Sequence, residues 1–355
     1  MTSLAFAKYR LTIRARDALQ LPEYKGSAFR GGFGHALRRV VCPFSDGRCQ
    51  PGCVNPGRCV YAYVFDTPLA DDMAPLRGAL DAPHPFVLEP PEEEQQRYGA
   101  GDQLAFHLIL LGRAMDYLPY FVFTFDELGR IGLGKGKGRY QLESVVGIGP
   151  AGEVRVFTGA ERRFVGVGVP ITLEEVVGEV PEEADAVAIE FVTPARLRYG
   201  HQLTSQLEFH ILFRALWLRL ALLDLCHGSG GLLPLPAGGE VPALAVAQYF
   251  YRDRRIDEGV RRSIHEAIEE AKGVRIAHSE LQWRDWERYS ARQDVRMKLG
   301  GVVGGITYAG ALTGFLPYLR LGEHLHVGKN TSFGLGKMRL QRSSQGHGVG
   351  AHTSA

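Results

Sequence analysis

The chain has no apolar run of the roughly 18–20 residues that a membrane-spanning helix needs. No such span is expected. Its first residues carry neither the apolar segment nor the cleavage site of a secretory signal, so a cytoplasmic address is expected. Net charge is nearly absent: 41 Lys+Arg stand against 39 Asp+Glu, leaving +2. Bulk charge therefore points to no polyanion, and any nucleic-acid surface has to be a local one. Cysteine is scarce. Of five in 355 residues, four lie between positions 42 and 59, in a chain without secretory features. That clustering favours metal ligation over disulfides. What remains is the composition of an ordinary globular protein, 45% hydrophobic and 23% charged. At about 150 residues per domain, this length predicts two domains.

Two stretches depart from that ordinary background. Residues 326–340, HVGKNTSFGLGKMRL, place Gly328, Gly334 and Gly336 among Lys329, Asn330, Lys337 and Arg339. Glycine lets a backbone turn and approach closely. Lysines threaded through such a loop read as an anion cradle of N–H groups and mobile charge. Residues 129–140, GRIGLGKGKGRY, repeat the theme with Lys135, Lys137 and Arg139, although a merely solvated loop fits them equally. Two such loops suggest two copies of one unit.

In chain order, Ala7–Arg16 alternates strictly. Ala7, Tyr9, Leu11, Ile13 and Ala15 face one way, and Lys8, Arg10, Thr12, Arg14 and Arg16 the other. This is a half-buried strand whose basic face is either solvated or a nucleic-acid surface. Within residues 1–41, eight Lys/Arg face only two acids. Next comes a helix with Ser27 as candidate N-cap and Phe29, Phe33, Leu37 and Val40/Val41 at helical spacing. Gly31, Gly32 and Gly34 weaken it by up to about 1 kcal/mol each, which suggests close approach by a ligand or a neighbouring backbone. His35 lies three and four residues before Arg38 and Arg39. It reads either as a helix-surface histidine or as a general acid or base beside a phosphate.

Cys42, Cys49, Cys53 and Cys59 follow, and a four-thiolate zinc site stapling this loop is the simplest reading. An iron–sulfur cluster is the alternative. Cys226, alone in an apolar helix, reads as core. The remaining expectations are a strand at 61–66, a short strand in PFVLEP, a strand at 103–111, a helix over 113–128 and a strand at 139–147. Together these give the βαββαβ ferredoxin-like plan. After an acidic, proline-bearing connection near 180 the plan repeats. A strand at 186–192 precedes an apolar helix over 203–226 and a Gly/Pro loop over 228–242. A charged helix at 254–272, paired strands at 276–289 and 297–308, and a short helix at 312–321 lead to the closing stretch. The expected fold is thus α+β: two tandem ferredoxin-like domains, 1–180 and 181–340, then a disordered tail at 341–355.

Three stretches then resemble the CRISPR precursor-RNA processing endoribonucleases of the RAMP superfamily: FRGGFGHALRRVVC with the following YAYVFDTP, WERYSARQDVRMKLGGVVGGITYAG, and LHVGKNTSFGLGKM. The resemblance implies cleavage of repeat RNA without a catalytic metal, by attack of a ribose 2′-OH on the adjacent phosphorus. A 2′,3′-cyclic phosphate and a 5′-OH result. It places the catalytic histidine in the first helix, hence at His35, with Tyr24 and Arg38 as helpers. It extends RNA binding to Lys25, Arg30, Arg39, Lys135, Lys137, Arg139, Lys329, Asn330 and Lys337. Arg288 and Arg292 either hold a phosphate or pair with Asp285 and Asp294. His324 and His326, on one face of an expected strand, are either the runner-up acid/base pair or a packed, hydrogen-bonded pair. The expected partner is CRISPR repeat RNA in precursor transcripts. A rival class is a non-catalytic RNA-binding subunit of a CRISPR effector complex, in contact with its other subunits.

Overall fold

The alternation at the N-terminus builds the central strand of the first unit. The computed structural model describes residues 4–42, 44, 53, 59–65, 67, 82–178, 184–200, 202–253, 255–290 and 295–341. Strand β1 (Ala5–Ala15) buries Ala7, Tyr9, Leu11, Ile13 and Ala15 as the period of two requires. Helix α1 (Gly26–Val41) follows, then the short α2 (Val60–Phe65), β2 (Phe86–Glu89), β3 (Gln103–Leu111), α3 (Leu118–Ile131), β4 (Tyr140–Gly149) and β5 (Gly152–Thr158). The strands run β2-β3-β1-β4-β5, all neighbours antiparallel. Helices α1 and α3 cover one face. Phe33 of α1 stacks on Phe121 and Phe125 of α3 at 5.0 Å each, over Phe86 and Phe106 of the sheet.

The second unit repeats this order. It comprises β6 (Ala186–Ala195), α4 (Phe209–His227), α5 (Ala243–Phe250), α6 (Glu258–Gly273), β7 (Arg275–Ser279), β8 (Gln282–Arg284), β9 (Gly301–Ala309), α7 (Leu316–Leu325) and β10 (Met338–Gln341). Its sheet runs β7-β9-β6-β10, with β8 continuing along β9. In both units the first strand lies between the third and the fourth, and the second is at the edge. That is the ferredoxin-like arrangement, twice. Phe213, Trp217, Phe315 and Tyr318 fill the layer beneath α4 and α7. The first unit's Leu4, Phe6, Val87, Ile109 and Leu111 join this second core, so the two units share apolar packing.

Several local expectations change. Where a strand was expected from 61, Val60–Phe65 is helical, burying Val60 and Val64, four apart, beside α1. Ser27 does not cap α1. Lys25 holds the N-cap position, no side chain caps it, and the Ser27 hydroxyl turns back to the Tyr24 carbonyl at 3.4 Å. Pro119 sits in the first turn of α3 behind a 3-10 turn over Gly112–Tyr117, where its missing N–H costs nothing. Helix α4 begins at Phe209 rather than 203, and α5 lies where no helix was expected. The expected strand 276–289 divides into β7, β8 and a separate hairpin, Glu287–Ser290 with Val295–Lys298. The expected tail beyond Gln341 lies outside the described residues.

Candidate nucleic-acid interface

Three surfaces carry the residues singled out from sequence. The first is the exposed stripe of α1. His35 lies there in solvent, with exposed Arg39 one turn on. Gly31, one turn before it, is exposed too, and a Cβ placed there would meet nothing within 4 Å. The other two helix glycines face inward: a Cβ on Gly32 would sit 2.9 Å from Leu128, and one on Gly34 would sit 3.2 Å from Phe65. Arg38 lays its guanidinium over the Tyr61 ring at 5.2 Å. Its Nε and Nη2 are buried without a hydrogen-bond partner among the described residues. Arg39 reaches toward Glu127 at 3.7 Å, beside a groove between α1 and α3. Arg30 points the other way. Its Nη2 donates to His84 Nε2 at 3.1 Å, and its guanidinium lies between the Phe65 and Phe333 rings at 4.3 and 5.0 Å. Burial, then the Arg30 charge, pushes the His84 pKa down to about 3, which leaves its ring the acceptor that Arg30 needs.

The second surface is a junction between the units, and most of it is interior. Tyr24 is buried, stacks on Trp286 at 4.0 Å and donates its hydroxyl to the Phe333 carbonyl at 2.5 Å. Lys25 is buried as well, with Nζ on the Glu93 carbonyl at 2.6 Å, and burial lowers its pKa. Both residues thus sit inside the start of α1, not on its surface. Glu89, at the end of β2, is the hub. Its carboxylate meets His326 Nε2 at 3.0 Å, Lys8 Nζ at 3.0 Å and Lys337 Nζ at 3.1 Å. Burial raises its proton affinity, but the His326 hydrogen bond and the charges of His326, Lys8 and Lys337 outweigh it. The pKa is held well below the ordinary carboxylate range.

His326 is wholly buried at the end of α7, with φ 61°, and its Nδ1 faces the Leu335 carbonyl at 3.1 Å. Burial lowers its pKa against the pull of Glu89. His324 lies within α7, its ring 5.1 Å from Phe6. The expected strand through these two histidines is therefore a helix end, and its turn at His326 separates them. Lys337 also pairs with Glu92 at 2.7 Å, and Arg339 closes on the same carboxylate at 2.6 Å.

The third surface is the first glycine loop. Lys135 and Lys137 are exposed, and the Lys135 amide donates to the Gln20 carbonyl at 2.8 Å. Arg139 pairs with Asp17 at 2.7 Å. In the second loop Asn330 takes the left-handed conformation at φ 63°, and the Lys329 amide donates to the Arg196 carbonyl at 3.1 Å. Arg288 lies on the hairpin strand opposite Met297, and Arg292 falls outside the described residues.

One further expectation changes. The basic face of β1 is ion-paired rather than open. Arg10 holds Glu153 through two hydrogen bonds, Arg14 holds Glu143, Lys8 holds Glu89 and Arg16 holds Gln141. The acids that neutralise it come from β2, β4 and β5, so no reading of β1 alone could find them. Most of the expected cysteine loop lies outside the described residues. Cys42, Cys53 and Cys59 are free and half-buried, and Cys49 lies outside the described residues. Among the described residues no three His, Cys, Asp or Glu side chains come together to hold a metal ion. Also among the described residues, no helix is long and apolar enough to cross a membrane.

Two ferredoxin-like units in tandem, closed by a glycine-rich loop, define a RAMP-type fold. Residues 189–338 match the family model described as "CRISPR-associated endoribonuclease Cas6", and residues 4–167 match one described as "N-terminal domain". Over residues 189–338 the chain is thus similar to the Cas6 endoribonuclease family. Among solved structures it is similar to a Cas6 (TTHB231) product complex: TM-score 0.52, 16% identity, 95% of this chain and 99% of that one. It is also similar to Thermus thermophilus Cas6 (TTHB231), at TM-score 0.51, 13% identity, and 95% and 99% of the two chains. A partial Cas6-RT-Cas1–Cas2 complex gives TM-score 0.55 at 15% identity over 96% of this chain and 47% of that one. An uncharacterized protein of Archaeoglobus fulgidus is 28% identical over 125 residues, 35% of this chain and 40% of the relative's length.

Proposed function

We propose that this protein is an endoribonuclease that binds CRISPR repeat RNA in precursor transcripts and cuts it at α1, with His35 as a proton-transfer group. In this reaction the ribose 2′-OH attacks the adjacent phosphorus and the bond to the 5′-oxygen breaks. The products are a 2′,3′-cyclic phosphate and a 5′-OH. One group must take the 2′ proton, one must protonate the leaving oxygen, and cations must neutralise the phosphorane. Histidine can do either proton transfer near neutral pH. Arg39 and Arg38 are the nearest cations along the helix. These demands are ones side chains can meet, so the proposal assigns no step to a metal.

The observation that carries this reading is the joint between α1 and the closing loop. An exposed imidazole sits on a helix whose start is hydrogen-bonded to the glycine-rich loop through Tyr24 and Phe333. Lys329 and Asn330 of that loop, with Lys135 and Lys137 of the first, would hold the RNA backbone. Tyr24 and Lys25 act, in this reading, by fixing the helix rather than by touching RNA.

The test is incubation of purified protein with a repeat RNA in EDTA. Cutting to a cyclic-phosphate end, slowed by about a hundred- to ten-thousand-fold in His35→Ala with RNA affinity retained, is the expected result. Cutting that persists in the variant would remove His35 from the mechanism. Binding without cutting in the parent protein would make it the non-catalytic RNA-binding subunit instead.

A further inference from the structure

Trp283 is held like a fixture rather than a core residue. It lies on β8 opposite Val302 and is 44% exposed, whereas Trp217 is fully buried and Trp286 is covered by Tyr24. Two constraints fix its indole. Nε1 donates to Asp285 Oδ1 at 3.0 Å. One edge of the ring rests on Gly300, where a Cβ would come within 2.8 Å of Cζ2 and Nε1. A side chain at 300 would displace the Asp285 carboxylate and then the ring edge. The indole is thus held along one edge while much of its area stays in solvent.

Its surroundings are cationic. Arg196 donates from Nη1 to the Gly300 carbonyl at 2.5 Å, and its Nε is buried with no hydrogen-bond partner among the described residues. Exposed Arg198 and the indole's own anchor, Asp285, lie within electrostatic reach of Arg196. Exposed Arg284 follows Trp283 directly and pairs with Glu23 at 2.6 Å. The Arg196 carbonyl takes the Lys329 amide, so the indole's support is bonded to the glycine-rich loop itself. Gln282 and Arg284 on either side are exposed and polar. A single flat ring among arginines is not the contiguous apolar patch that a protein partner would cover. It is what an unpaired base, with its π-face and flanking phosphates, requires.

We propose that Trp283 is a stacking platform for an unpaired base of the bound RNA, with Arg196 and Arg198 beside it for the adjoining phosphates. This rests on the RNA reading above and extends the bound strand from the glycine-rich loop across β8.

The test uses the full chain, a repeat RNA and an eight-nucleotide single-stranded oligoadenylate. The exposed-indole emission should be quenched by both RNAs and protected from iodide. Trp283→Ala should weaken binding of both by about tenfold. Trp283→Phe, which keeps a ring, should restore most of it. Parent protein that binds repeat RNA, with Trp283 emission and iodide access unchanged and Trp283→Ala within twofold, would overturn the platform while leaving the RNA reading intact. So would iodide protection produced by a protein partner and not by RNA. Parent protein that binds no RNA would overturn both. Should Trp283→Ala not fold, the emission of the parent and the affinity of Trp283→Phe decide the matter.

Discussion

The two glycine loops share a composition and differ in what surrounds their lysines. In 129–140 the ammonium groups of Lys135 and Lys137 stand in solvent, while Arg139 pairs with Asp17 and Arg130 with Asp126 and Glu127. In 326–340 Lys337 is drawn against Glu89 and Glu92 of the other unit, its side chain only 13% accessible. The first loop packs its backbone on Ala18 and Gln20 of its own unit and leaves its two lysine side chains in solvent. The second emerges where the two sheets meet, so a neighbouring unit's acids are within reach. A lysine among glycines is therefore not a phosphate ligand by composition. The acid opposite decides whether its charge is available.

The comparison breaks hardest at Glu89. Glu89→Gln leaves Lys8 and Lys337 facing a neutral group in a buried site, and we expect a loss of about 3–5 kcal/mol in denaturant unfolding. The pH dependence has a fixed sign. The folded-state pKa of Glu89 lies below the ordinary 4.5, so its contribution is complete above that value and is lost as pH falls through the folded pKa. The gap between parent and variant should therefore be flat near neutrality and narrow only under acid. A gap that narrows between pH 6 and 8 would point to His326 rather than Glu89.

A smaller effect, of opposite kind, is expected at the first loop. Lys135→Ala with Lys137→Ala should leave stability within about 0.5 kcal/mol. The same pair should weaken RNA binding and reduce the slope of log affinity against log salt by about 1–2. An unchanged slope would show that this loop is only solvated.

A third effect sharpens the picture at α1. Gly31→Ala fills empty space in an exposed helix and should stabilise the protein by about 0.5–1 kcal/mol. If RNA passes over His35, the same methyl should slow cutting. Higher stability with unchanged cleavage would place the RNA elsewhere.

How much was legible in the sequence follows from where each partner sits. The period of two in β1, the helical spacing of Phe29, Phe33 and Leu37, and the repeated strand–helix order carry their own explanation, so the tandem ferredoxin-like plan could be read directly. YAYVFD misled because a five-residue apolar run fits a strand or a buried turn of helix, and only its packing beside α1 decides. His324 and His326 misled because alternation was assumed to extend through a helix end. Glu89 went unnoticed although PFVLEP was recognised as a strand. An acid in the last position of an otherwise apolar strand was a signal that something basic must meet it. Its partners lie 81, 237 and 248 residues away. Trp283 was read only as part of a longer strand, since no local pattern tells that a glycine at 300 lies beneath its ring.

The Glu89 cluster has a consequence for inheritance. One half of the chain supplies the carboxylate and Lys8, the other His326 and Lys337. A chimera that exchanged the C-terminal unit for a relative's would strand an acid in one parent's half and bases in the other's. The halves must therefore change together. A lineage that loses the acid of β2 should be found to have replaced the lysine of the closing loop as well, and there a loop of the same glycine spacing would recover its charge for other use.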